Sequence, residues 1–167
     1  MILSPAVTNN VGLRVELVVL ENEPPTDVIV AVGDPGFYAT PYFWLAPPFQ
    51  NWPTGHGERY LTNGGRPDKG QFCRFTPDLA AGTYEVSLAE ETPFEQIASF
   101  RREASPQFDV AVRHALGDTG LRVEPLKSRS IGTFPFNEGT DGYVQVFAAN
   151  SVGQVLIDAV RFRRIGD

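Results

Sequence analysis

The sequence predicts an all-β domain, an antiparallel β-sandwich. Apolar and polar residues alternate with period two in several short segments, as in strands that have one buried and one solvated face. The 167 residues include 16 glycines and 14 prolines, a share that suits a chain with many turns. About nine or ten strand segments at fairly regular spacing, with almost no helical pattern, favour two packed sheets.

The alternation fixes the expected strands and their inward faces. Strands are expected at 12–20, 27–33, 71–75, 83–89, 108–116, 121–124, 130–136, 143–149 and 155–162. Residues 117–120 (Gly-Asp-Thr-Gly) have the composition of a hairpin turn. Along 108–116, one face is expected to hold Phe108, Val110, Val112, His114 and Leu116.

Residues 37–70 break this pattern and carry many aromatic side chains. They hold both tryptophans and show no clean period, so we expect long loops with one short strand near 58–61. Sugars offer flat C–H faces to aromatic rings, which favours a glycan site in these loops. The candidate ligand-binding residues are Tyr42, Trp44, Asn51, Trp52, His56 and Tyr60. The alternatives are that the tryptophans plug the ends of the sandwich, or that the rings form a protein interface.

Charge and motifs exclude several classes of function. The net charge is −6 and no Lys/Arg cluster stands out, which argues against nucleic acid as a partner. No apolar stretch approaches the length of a membrane span, and the first residues lack the features of a secretory signal. No nucleophile elbow, phosphate loop, zinc-protease or dinucleotide motif occurs. We therefore expect no catalytic residues and no membrane partner.

Three single residues need an interpretation. Cys73 is the only cysteine and lies in an expected strand, so it is interpreted as a buried packing thiol. His114, on an apolar face, is interpreted as a core residue with its hydrogen bonds satisfied. Asp158 lies in an apolar strand and needs partners: backbone N–H groups, an arginine, or a structural calcium ion. No other cofactor is expected.

The most distinctive pattern lies in residues 131–162. It contains Gly-Thr-Phe at 132–134, Ser-x-Gly at 151–153 and Val-x-x-Asp-Ala-Val-Arg-Phe at 155–162. With Ala-Gly-Thr-Tyr-Glu-Val at 81–86 and the segment 28–37, it resembles the golvesin/xanthan-lyase carbohydrate-binding-like domain family. The resemblance spans about 27–163 and implies a jelly-roll, galactose-binding-like sandwich with a glycan-binding role.

Two functions are consistent with these observations. The leading hypothesis is a non-catalytic polysaccharide-binding module at 27–167, with 1–26 as an N-terminal strand or arm outside the resemblance. The alternative is a structural subunit of a larger assembly, such as a phage virion decoration or tail protein. In that case the N-terminal segment would contact other protein subunits by adding a strand to a neighbour's sheet. Both place the domain outside the cell or on a particle or cell surface.

Overall fold

A computed structural model describes residues 27–41, 44–46, 60–63, 70–88, 107–124, 129–151, 153 and 155–167. Within these residues the chain forms strands and no helix. The strands are β1 (Asp27–Ala31), β2 (Phe37–Ala39), β3 (Trp44–Ala46), β4 (Tyr60–Thr62), β5 (Phe72–Phe75), β6 (Gly82–Leu88), β7 (Phe108–His114), β8 (Gly117–Val123), β9 (Ser130–Phe136), β10 (Tyr143–Phe147), β11 (Leu156–Ile157) and β12 (Ala159–Gly166).

These strands form two larger antiparallel sheets and one small sheet. The four-stranded sheet has the order β1-β12-β6-β9, and the five-stranded sheet has the order β2-β5-β10-β7-β8. A three-stranded sheet has the order β11-β4-β3. In the four-stranded sheet β12 pairs with β1 and β6, and β6 also pairs with β9, so strands that are distant in sequence become neighbours.

The core lies between the inner faces of the two larger sheets. One continuous cluster of buried side chains joins residues of both sheets, including Phe75, Val110 and Val146 from one and Val86 and Phe162 from the other. Each fully buried Val or Phe side chain stabilises the fold by about 1.5–3 kcal/mol. The antiparallel β-sandwich predicted from the alternation is therefore confirmed.

The predicted hairpin at 117–120 is wrong. The turn is formed by Ala115 and Leu116, and β8 begins at Gly117, which pairs with His114. Gly117 has φ of 120°, a conformation that favours glycine and suits the residue leaving a tight turn. Leu116 is consequently 83% exposed and does not share the inward face of β7.

Residues 37–70 contain more regular structure than the sequence predicts. The short strand expected near 58–61 is present as β4, but β2 and β3 were not expected. Each is only three residues long, too short for a period to show. Pairing with β5 and β4 defines them instead.

The last strands match the prediction closely, with one break. Residues 130–136 form β9 as expected, whereas 155–162 divides into β11 and β12 around Asp158. The backbone oxygen of Asp158 accepts a hydrogen bond from Val32 N at 2.9 Å, which ties this break to the end of β1. The predicted strand at 12–20 lies outside the described residues.

Candidate functional site

The predicted loop site lies almost entirely outside the described residues. Trp44 lies in β3 and Tyr60 in β4, which are adjacent antiparallel strands. Nothing is described of their side chains, and Tyr42, Asn51, Trp52 and His56 are outside the described residues altogether. The loop site therefore stays a prediction.

A different surface is well defined: the side of the five-stranded sheet that faces away from the core, called here the outer face. Strand alternation assigns its members, because their neighbours along each strand are the buried core residues. The outer face comprises Tyr38, Phe72, Arg74, Asp109, Ala111, Arg113, Asp118, Gly120, Arg122, Tyr143, Gln145 and Phe147.

Aromatic rings form a row at one side of the outer face. The ring centroids of Tyr38 and Phe72 are 5.8 Å apart, and those of Phe72 and Phe147 are 6.3 Å apart. Tyr38 is 53% exposed. A row of rings at outward positions is unusual, since a solvated sheet face normally carries polar side chains.

Arg74, on β5 of this face, is held in place by its neighbours. Its Nε and Nη2 both donate to Gln145 Oε1, at 3.1 and 2.9 Å, from the neighbouring strand β10. Its guanidinium carbon lies 4.2 Å from the ring centroid of Tyr143 and 5.7 Å from that of Phe72. These contacts fix the guanidinium before any ligand arrives, which lowers the entropic cost of binding.

The outer face contains a groove of about 430 Å³, formed mainly by residues of β7 and β8 and called here the outer-face groove. The residues on its floor have little or no side chain, because Ala111 lies opposite Gly120 on β8. Phe147 and Asp109 are among the residues that line it. The groove is shallow and open to solvent, a shape that suits an extended ligand lying along the surface.

An ionic network stiffens one wall of the outer-face groove. Arg122 Nη1 binds Asp109 Oδ1 at 2.7 Å, and Asn150 Nδ2 donates to Asp109 Oδ2 at 3.1 Å. The hydrogen bond from Asn150, and then that from Arg122, lowers the pKa of Asp109 below its usual value of 3.8. Asn150 has φ of 61°, in the left-handed region that asparagine tolerates better than most residues. The wall is thus built from a charged pair and a specialised turn.

A second groove, of about 650 Å³, lies at the end of the sandwich beside the β7–β8 turn, with His114 and Tyr143 in its lining. His114 Nδ1 accepts from Leu116 N at 3.3 Å, which leaves Nε2 to donate to Thr119 Oγ1 at 2.8 Å. The imidazole also packs against the Phe134 ring at 5.2 Å between centroids. The expectation of a satisfied histidine is confirmed, although the side chain is half-buried rather than fully in the core.

Cys73 is a packing residue, as predicted. It is fully buried in the main core cluster, and burial raises the pKa of its thiol far above the ordinary value. A thiol that stays protonated is a poor nucleophile and a poor metal ligand.

Asp158 is buried at the break between β11 and β12. The described residues contain no group of three or more His, Cys, Asp or Glu side chains that could hold a metal ion, so the calcium alternative gains no support from them.

No helix in the described ranges is long and apolar enough to cross a membrane.

Outward strand positions are normally solvent-facing, and for this reason the sequence alone does not indicate the outer face as a site. The available signal was the aromatic character of Phe72, Tyr143 and Phe147, which occupy positions where alternation predicts polar residues. Their significance depends on the register, which joins residues that are distant in the chain. Arg74 and Gln145, for example, are 71 positions apart.

Solved structures of two enzymes contain the same fold. A Paenibacillus xanthan lyase matches with a TM-score of 0.68 and 23% identity, over 84% of this chain and 13% of the lyase chain. A Podospora anserina GH26-CBM35 β-(1,4)-mannanase matches with a TM-score of 0.55 and 12% identity, over 84% of this chain and 28% of that one. This chain therefore spans less than a third of either protein. Identities this low show a shared fold alone.

No protein-family model and no curated protein sequence matches the chain. The sandwich architecture expected from the family resemblance is confirmed, and a xanthan lyase is among the structures that share it. Membership of the golvesin/xanthan-lyase family itself stays a prediction.

Proposed function

We propose that this domain is a non-catalytic carbohydrate-binding module that holds a polysaccharide against its outer face. The observation that carries the proposal is the outer-face groove, whose floor is Ala111 and Gly120, with Phe147 in its lining and Gln145 next to Ala111. Apolar rings and fixed hydrogen-bonding groups side by side are what a sugar needs, because it presents C–H faces and hydroxyls together.

The extent of the surface suits a chain rather than a single sugar. The outer face continues from the outer-face groove to Arg74 on β5 and Tyr38 on β2. Adjacent strands lie about 4.8 Å apart, so five strands span on the order of 20 Å. A polymer can therefore contact the groove and the aromatic row at the same time, which adds affinity without a deep pocket.

The carboxylates of the outer face support a binding role over hydrolysis. Glycoside hydrolysis needs a carboxylic acid of raised pKa as proton donor. Asp109 has a lowered pKa and is paired with Arg122. Asp118 pairs with Arg113, with Nη1 of the arginine 3.1 Å from Oδ2. Neither group has the environment of a general acid.

The two enzymes that share the fold add support of a different kind. One is a xanthan lyase and the other a β-(1,4)-mannanase, so each is named for the polysaccharide on which it acts. This chain corresponds to a small part of each, as an accessory module would. A module of this kind would act where the polymer is, outside the cell or on a particle surface.

A binding assay with one groove-filling variant tests the proposal. Gly120→Val places an isopropyl group on the groove floor, where the space around Gly120 is open and the fold has no reason to change. Valine also suits a strand better than glycine does. We expect this variant to melt no lower than the wild type. In gel-retardation electrophoresis, its affinity for a polysaccharide that slows the wild type should be at least tenfold lower.

Thr133→Val is the matched control, because it places the same side chain on the exposed face of the other sheet. We expect its affinity to equal that of the wild type. Wild-type protein that binds no polysaccharide in a broad panel, while folded, would sink the proposal. Unchanged affinity in Gly120→Val would mean that the outer face is not the binding surface, and the loop residues would then be tested with Trp52→Ala.

A further inference from the structure

We propose that the outer face selects acidic polysaccharides, and that Arg74 binds a sugar carboxylate such as that of a uronic acid. This inference rests on the proposed function, because it names the class of glycan that the same surface takes. It is carried by the environment of Arg74, which differs from that of the other arginines on the outer face.

The other two arginines of the outer face are neutralised by carboxylates. Arg113 pairs with Asp118, with an N–O distance of 3.1 Å, and Arg122 pairs with Asp109 at 2.7 Å. These pairs fix the walls of the surface and contribute little net charge to it.

Arg74 has no such partner among the described residues. Its hydrogen bonds go to the neutral amide oxygen of Gln145. No carboxylate occupies the outward positions next to it along β5, across to β2, or across and diagonal on β10. Those positions are Phe72, Tyr38, Gln145, Tyr143 and Phe147.

Within the described ranges, no carboxylate therefore compensates the charge of Arg74, in a protein whose net charge is −6. The outer face has three arginines and two aspartates, a net charge of +1. The net charge of the protein disfavours an acidic polymer, whereas the guanidinium of Arg74, which has no carboxylate beside it, attracts one, so charge complementarity favours an acidic ligand at this position.

The geometry of Arg74 suits a planar carboxylate. A guanidinium has five N–H donors, and the two that bind Gln145 leave three for a ligand. Arginine binds carboxylates through two parallel hydrogen bonds, and stacking on Tyr143 holds its plane in one orientation. Arg74 is two strands from Ala111 on the groove floor, about 10 Å away. A sugar chain lying in the groove can therefore place a carboxylate on Arg74.

The competing site for an anion is on the opposite sheet. Arg161, Arg163 and Arg129 line a small pocket of about 130 Å³ there. Arg161 pairs with Asp27, and Arg163 lies between Asp27 and Glu85 in the strand register. Because carboxylates already flank Arg161 and Arg163, we expect this pocket to contribute less to binding an acidic polymer.

The test compares each acidic polymer with its own neutral form. Polygalacturonate and alginate are each used intact and after their carboxylates have been reduced to hydroxymethyl groups, beside a panel of neutral polysaccharides. The proteins are the wild type, Arg74→Gln, Arg74→Lys and Arg163→Gln, the last as a matched control that removes one arginine from the other sheet. Melting temperatures confirm that every variant is folded.

We expect the wild type to bind at least one acidic polymer about 10- to 100-fold more tightly than its reduced form, the effect of a charge-assisted hydrogen bond. Arg74→Gln should lose this preference, so that carboxyl reduction no longer changes its affinity. Arg74→Lys should retain part of the preference, and Arg163→Gln all of it. Raising the salt from about 0.15 to 1 M shortens the screening length from about 8 to 3 Å and should weaken only the binding of acidic polymers.

Three results would overturn the inference and leave the proposed function standing. These are binding of neutral polysaccharides alone, an Arg74→Gln variant that keeps the full preference for the acidic form, and loss of that preference in Arg163→Gln instead. Binding of no polysaccharide, acidic or neutral, would remove the proposed function as well. If Arg74→Gln fails to fold, the Arg74→Lys variant and the salt dependence of the wild type decide between these outcomes.

Discussion

The assignment of inner and outer faces can be tested by truncating two phenylalanines. One is Phe162, on the inner face of the four-stranded sheet, and the other is Phe147, on the outer face of the five-stranded sheet. Phe162 is fully buried, and its ring packs edge-on against Phe136 at 5.8 Å between centroids. Phe147 is half-buried on the outer face, near Phe72. Both lie on strands that occupy interior positions in their sheets, so the two substitutions differ mainly in burial.

Phe162→Ala removes a fully buried ring and leaves a cavity, which costs about 3–5 kcal/mol in the free energy of unfolding. For a chain of this size each kcal/mol lowers Tm by about 2–4 °C, so we expect a fall of roughly 6–20 °C. Phe147→Ala exposes no core, and we expect a cost below about 1.5 kcal/mol, with a correspondingly small fall in Tm. Denaturant melts monitored by circular dichroism measure both.

Equal losses in the two variants would refute this reasoning. A loss of 3 kcal/mol or more in Phe147→Ala would mean that another part of the chain covers the outer face, which would then be unavailable to a polysaccharide. A loss below 1 kcal/mol in Phe162→Ala would contradict the position of the core.

Three further predictions follow from single features. Asp109 has a lowered pKa because of its hydrogen bond to Asn150, so it stabilises the fold above the unfolded-state pKa of about 3.9. This stabilisation should disappear as the pH falls through the lower folded-state pKa; melts of wild type and Asp109→Asn from pH 2 to 6 should therefore converge at the acidic end. Gly36→Ala should lower the free energy of unfolding by about 2 kcal/mol or more, because φ of Gly36 is 90° and a Cβ would lie 2.1 Å from the Thr76 carbonyl oxygen. Chemical denaturation measures this loss, and a loss near zero would contradict the turn geometry. Deleting residues 1–26 should leave polysaccharide affinity within about twofold in the same electrophoretic assay, whereas a change in oligomeric state would favour the assembly subunit.

Most of the core could be predicted from the sequence because period-two alternation is a local property. The inward positions Tyr84 and Val86 of β6, and Phe108, Val110 and Val112 of β7, are all buried as expected. The error at the β7–β8 turn has a physical origin. Gly-Asp-Thr-Gly has the composition of a turn, but Gly120 instead serves as a strand residue with open space beside it.

The candidate site could not be predicted in the same way, because it depends on which strands become neighbours. Ala111 and Gly120 form a groove floor only when β7 and β8 pair in the observed register. Arg74 meets Gln145 only because β10 inserts beside β5. Local patterns show that these positions face outward, and the pairing of the strands decides which outward side chains lie next to one another.

Amide chemical-shift mapping can locate the polysaccharide-binding surface residue by residue. An ¹⁵N-labelled sample is titrated with the tightest-binding oligosaccharide from the panel, and the shifted backbone amides are assigned. We expect the largest shifts at Ala111, Gly120 and Gln145, with no shifts at Thr133 or Arg163 on the opposite sheet. Shifts confined to that opposite sheet, or to the loops that hold Trp52 and His56, would contradict this expectation.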